Sequence, residues 1–167
     1  MVAFSNDISK NSETLMNTEQ NIQDLANWFL TKDSMTHKKL QKLCYYAVAW
    51  GWALMNRPIV KDSEFQAWVH GPVSVTVYNK YRENGWNLLP KNQEIELSFS
   101  SDIEELLGSV WATYGDKDGN ELEALSHIEK PWRSAREGIS DSDISSNKID
   151  ESIMRDFYLS IFRGNDK

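Results

Sequence analysis

Three histidines, one cysteine and a scatter of carboxylates are the residues of this 167-residue chain whose types could do chemistry. His37 and Cys44 fall seven residues apart on one predicted helix face, two turns or about 10 Å, which is beyond the reach of a nucleophile and its base. Cys44 lies in an apolar run and reads as a small core residue. His37, His70 and His127 show no metal-ligand spacing, and a single cysteine cannot form a thiolate cluster, so neither metal nor cofactor is expected. The run DKDGNELEALSH puts Asp116, Asp118 and Asn120 at positions one, three and five of a calcium loop. Glu121 stands where that loop needs glycine and His127 where it needs a bidentate glutamate, so a helix-capping turn is the better account. No P-loop, dinucleotide fingerprint, nucleophile elbow or paired-carboxylate motif occurs, and the chain reads as a non-enzyme. The competing reading is an enzyme or small-ligand sensor in which His70, His127 and a carboxylate such as Glu64 converge on a pocket.

His70 belongs to AWVHGPVSV, residues 67–75, where histidine, glycine and proline follow one another between apolar neighbours. Gly71 supplies a permissive backbone angle, and Pro72 suits the first position of a helix because it has no N–H to leave unpaired. The stretch therefore predicts a strand-to-helix joint, with His70 either a polar cap or a contact residue.

The positioning elements follow from periodicity. Ile22, Leu25, Ala26, Phe29 and Leu30 mark an amphipathic helix over Glu19–Leu30, with Thr18 as its cap. The longest helix opens near Ser34 or Thr36 and closes before Pro58. Its second half is apolar nearly all round, which places it at the centre of the fold. Pro58–Val60 and Glu64–Val69 read as short strands, and Val73, Val77 and Tyr81 as a helix stripe ending at Asn84-Gly85. Residues 93–99 alternate like a third strand, and Ser100 or Ser101 caps the next helix. A short helix over Glu121–His127, another from Pro131-Trp132, a polar loop over 138–149 and a last helix over 150–163 complete the chain. The expected fold class is mainly α: a single helical domain over 19–163 around a central apolar helix, with a small antiparallel β element and a flexible N-terminal lead over 1–18.

Composition agrees with one globular domain: 40% of residues are hydrophobic and 26% charged. Seven Trp, six Tyr and six Phe suggest a well-filled core or an additional aromatic binding face. The opening MVAFSNDISKNSE lacks the basic and apolar regions of a signal peptide, so a cytoplasmic protein is expected. The run Leu43–Met55 is too short to span a membrane. Net charge is −7, which disfavours nucleic acid, and the basic helix start HKKLQK lacks a helix-turn-helix partner. Charge is polarised: Thr31–Lys91 holds nine Lys/Arg against four Asp/Glu, so the remainder carries −12. Either half could steer a charged protein partner.

Three segments go beyond generic physics. KLQKLCYYAVAW, AWVHGPVSVTVY and LSHIEKPWRSA resemble, in order, the "KLQKLLYYA" helix, the "AW..GPV...VY" joint and the "LTH...PW..A" element of the Panacea domain family. The matching positions are Leu40, Gln41, Lys42, Leu43, Tyr45 and Tyr46, then Ala67, Trp68, Gly71, Pro72, Val73 and Tyr78, then His127, Pro131 and Trp132. Cys44 and Ser126 depart from the usual Leu and Thr. The resemblance implies a bacterial or phage-borne antitoxin of the SocA-like kind that neutralises a cognate protein toxin by direct binding. Presentation of the toxin to an ATP-dependent protease is one form this could take. Partner contacts are expected among Gln41, Lys42, Tyr45, Trp68, His70, Tyr78, His127 and Trp132, some of them lining a shared groove. The alternative for each is core packing with satisfied hydrogen bonds.

Overall fold

The computed structural model describes residues 19–92, 96 and 98–164. The N-terminal lead and most of the strand expected over 93–99 lie outside these residues.

Helix α2 (His37–Met55) is the axis of the fold. Thr36 caps it, its hydroxyl accepting from Lys39 N at 3.2 Å, and Asn56 ends it in the left-handed region at φ 55. Every residue from Leu40 to Gly51 is buried, so this helix needs neighbours on all sides. It has them in α1 (Ile22–Leu30), β2 (Gly71–Val73), α3 (Val75–Tyr81), α4 (Ser101–Tyr114), α5 (Gly119–His127) and, most extensively, α7 (Glu151–Phe162). The short α6 (Lys130–Ala135) packs on α7, α5 and β1 (Gln66–Trp68). The fold is thus mainly α, with one small antiparallel sheet among the described residues, as the periodicity predicts. No described helix is long and apolar enough to cross a membrane.

Helix α1 starts at Ile22, the first residue of its apolar period and three residues after the expected Glu19; Thr18, the expected cap, lies outside the described residues. Asn21 and Asp24 form a reciprocal capping box, each side chain accepting from the other's N–H, and this fixes the first turn at Ile22. Asp118 and Glu121 do the same for α5, so the calcium-like run is a cap. Asp118→Ala should lower stability by about 1 kcal/mol, measured by urea denaturation; no change would mean that water replaces the cap.

The joint at AWVHGPVSV is different from the expected one. Gln66–Trp68 pairs antiparallel with Gly71–Val73 through the two-residue turn Val69-His70, so Gly71-Pro72 is a strand and the helix waits until Val75, capped by Ser74. Gly71 is required at φ 105 after the turn. Its missing side chain also leaves room for Lys42, whose Cε would lie 2.8 Å from a Cβ there. Pro72 fits because it faces Ala67, whose N–H and C=O turn outward to Asn147 O (2.8 Å) and Arg136 (2.8 Å). In an antiparallel pair such a position exchanges no ladder bond, so the missing N–H costs nothing.

Pro58–Val60 forms no strand. Ile59 and Val60 instead fill the core, with Ile59 Cγ2 occupying the notch above Gly51, where a Cβ would approach it to 2.6 Å. The loop 138–149 carries only the isolated bridge of Lys148 to Gln66.

A polar network ties α7 to α2 inside this core. Tyr46 and Tyr158 both donate to Glu129 Oε1, at 2.7 and 2.9 Å, and Tyr45 and Tyr158 share a hydrogen bond of 3.1 Å. Burial pushes the Glu129 carboxyl up to about 7, against the two hydroxyl donors that favour its charge.

Candidate functional site

The first turns of α2 bring His37, Lys38, Gln41 and Lys42 to one face, as spacing of three to five residues does on a helix. Opposite them stand Trp68, Val69, His70 and Val73 of the hairpin, Tyr78 of α3, Trp86 beyond α3, and residues 144–146 of the loop. Together they enclose a groove of about 500 Å³, within the range of small-ligand sites and side-chain anchors. Trp68 meets Tyr78 edge to face at 4.8 Å, and its Nε1 donates to Gln66 Oε1 at 2.8 Å. Trp86 and Ile144 form the rim, 78% and 94% exposed. None of the described lining residues is a carboxylate.

Two side chains of α2 hold the hairpin in place. The Gln41 amide donates to Ser74 O and accepts from Ser74 N, both at 2.9 Å. Lys42 Nζ donates to Pro72 O at 3.0 Å, and the residue is only 2% exposed. Burial drives the Lys42 ammonium down to about 7, with Glu123 opposing and Lys38 adding to the shift.

Behind the rim, Glu123 gathers one lysine and two histidines. Lys38 forms an ion pair with its Oε1, His70 Nδ1 lies 3.1 Å from its Oε2, and His127 Nε2 lies 4.0 Å from the same oxygen. Burial alone would raise the Glu123 carboxyl, but hydrogen bonds from Lys38 and His70 prevail and hold it below its ordinary value. Burial lowers His127, with Glu123 opposing, and lowers His37, with Lys42 adding to the effect. His37 Nδ1 is buried without a hydrogen-bond partner among the described residues.

Of the eight residues singled out in the sequence, Gln41, Lys42, Trp68, His70 and Tyr78 line the groove. His127 stacks on Trp132 at 4.0 Å, beside the groove and joined to His70 through Glu123. Tyr45 and Trp132 are buried in the core, Tyr45 in the Glu129 network and Trp132 donating from Nε1 to Trp68 O at 2.8 Å. These two pack rather than face outward. The carboxylate between the histidines is Glu123, not Glu64, which lines a separate depression with Lys61, Asp62 and Lys148. Cys44 is wholly buried and its thiol is pushed up by burial, as befits a core residue.

His37 and Lys38 precede Gln41 and Lys42 by one helical turn, so the helix period alone could have added them. Trp86, in the polar run ENGWN, was legible as an aromatic without an apolar face to join. Ile144 carried no such signal.

The family profile described as "Antitoxin SocA-like, Panacea domain" matches residues 40–133. No curated protein and no solved structure matches the chain. The matched segment runs from Leu40 in α2 through the hairpin, Tyr78, Trp86 and Glu123 to Arg133 in α6, and so holds most of the groove. Because the match spans more than half of the 167 residues, the chain belongs to the SocA-like antitoxin family of Panacea domains.

Proposed function

We propose that this protein is a cytoplasmic antitoxin of a bacterial or phage toxin-antitoxin system, and that it neutralises its cognate toxin by binding it directly at the α2–hairpin groove. The observation that carries this reading is an aromatic groove built mostly from the family-matched segment, whose rim exposes two large apolar side chains, Trp86 within that segment and Ile144 beyond it. Exposed aromatic and aliphatic groups around a concavity are the usual anchors of protein recognition. Residues 19–163 act as one domain in this reading.

The test is co-expression. Each open reading frame adjacent to this gene is induced with the intact chain, without it, and with the double variant Trp86→Ala/Ile144→Asp. Growth arrest relieved by the intact chain and restored by the double variant is the expected result. A harmless product from both neighbours would overturn the reading. If the toxin's half-life shortens only in the presence of this chain and of an ATP-dependent protease, neutralisation proceeds by degradation rather than blockade.

A second reading, a small-ligand sensor or enzyme, draws on one specific observation: His70 and His127 do converge, on the same Glu123 oxygen. Under it, Glu123→Gln should abolish function while toxin binding is retained. Neutralisation by Glu123→Gln at the level of the intact chain would remove it.

A further inference from the structure

The groove has a charge sign as well as a shape. In a chain of net charge −7, the described lining residues include Lys38, Lys42, His37 and His70 and no carboxylate. Glu123, which contacts Lys38 and His70, is already engaged by them. Among the described residues, Lys42 keeps two N–H donors beyond the one given to Pro72 O, with no ion pair, and His37 Nδ1 is buried without a partner. Apolar groups stand directly beside these polar ones: Lys38 Nζ lies 5.7 Å from the centre of the Trp86 ring, and Trp68 and Tyr78 meet edge to face.

We propose that the groove is the docking site for an acidic polypeptide segment, one in which an aromatic or aliphatic side chain lies next to a carboxylate. The apolar side chain fills the space between Trp68, Tyr78 and Trp86, with Ile144 closing over it. The carboxylate faces Lys38 and His70 at the rim. This rests on the reading of the chain as a protein-binding antitoxin and names the chemistry of the toxin surface it takes. The sign of the lining decides the occupant: its ionisable groups are basic and none is a carboxylate, so a basic segment is disfavoured, whereas an acidic one gains in attraction and in encounter rate.

The test uses the full chain and three blocked hexapeptides that alternate phenylalanine with glutamate, glutamine or lysine. Binding is read from the indole Nε1–H signals of Trp68 and Trp86 in ¹H–¹⁵N spectra, assigned through Trp68→Phe and Trp86→Phe. The Phe/Glu peptide should shift both signals saturably, at least about tenfold more tightly than the Phe/Lys peptide, and more weakly as salt rises. Ile144→Asp and Lys38→Glu, both at the groove's edge, should each weaken it by about the same factor. Equal binding of all three peptides, or none, overturns the proposal. So does a concentration-dependent shift without peptide, which would mean a second copy fills the groove, or a shift on deleting residues 1–18, which would mean that this segment does. Failure here with toxicity still relieved leaves the antitoxin reading standing; peptide binding without any toxic neighbour sinks that reading alone.

Discussion

Lys42→Met should make the protein more stable at pH 6, by roughly 2–4 kcal/mol, and should remove a rise in stability that the native chain shows between about pH 7 and pH 10. The folded ammonium titrates at about 7 against an ordinary 10.5, chiefly because it is buried. The unfolded chain therefore binds one more proton across that window, and stability increases with pH wherever the unfolded state holds more protons. At about 1.4 kcal/mol per pH unit the full gap corresponds to roughly 5 kcal/mol of destabilisation below pH 7. Methionine has similar length and no charge to desolvate, but it leaves Pro72 O without its donor, a loss of about 1 kcal/mol. Urea denaturation at pH 6, 8 and 10 measures both effects. A native chain whose stability is flat over that range would show that the ammonium is not held in the dry position described.

Glu129→Gln is the opposite case. Here the folded carboxyl titrates at about 7 against an ordinary 4.5, again chiefly through burial, so the native state holds the extra proton. Its contribution is fully present below about pH 4.5 and is lost as the pH rises through 7, a change of roughly 3 kcal/mol. Glutamine keeps an oxygen for the Tyr46 and Tyr158 hydroxyls and cannot ionise. The variant should gain roughly 2–3 kcal/mol at pH 8 and match the native chain near pH 5. Because one group lowers stability up to neutrality and the other raises it beyond, the native chain should pass through a minimum of melting temperature near pH 7. Each single variant should remove one side of that minimum. A smooth maximum near neutrality in the native chain would contradict both assignments.

How much of this was legible in the sequence depends on the length of the pattern. The central helix could be read from Leu40 to Met55 because an apolar surface on all sides has one solution in a chain this short, burial by elements on every side. Its ends were legible through Thr36 and Pro58. The hairpin was not, because Gly71-Pro72 satisfies the local rules for a helix start and for an edge strand equally. What decides between them is the outward bonding of Ala67 to Asn147 and Arg136, contacts across 80 and 69 residues that no local period encodes. The groove was half legible for the same reason. Gln41, Lys42, Tyr45 and Trp68 stood out as polar or amphipathic residues in apolar settings, and Tyr78 only through the family motif, whereas Ile144 looks like any residue of a Ser/Asp-rich loop until the fold carries it to the rim. Tyr45 and Trp132 misled because a hydroxyl or an indole N–H can be satisfied inside a core, by Tyr158 in one case and by Trp68 O in the other.

The little sheet is closed along both of its edges. On one side Ala67 N bonds Asn147 O and Phe65 O takes Ile149 N. On the other, Gln41 and Lys42 bond Ser74 and Pro72 as a neighbouring strand would, and proline withholds a donor. A sheet without a free edge cannot be extended by a strand from another chain. The hairpin is therefore protected against templated aggregation, although it lines the groove whose rim exposes Trp86 and Ile144. If the groove docks an acidic, apolar segment as proposed, recognition runs through side chains and shape, and changes in the partner's sequence that preserve that one protrusion should be tolerated while the backbone around it varies.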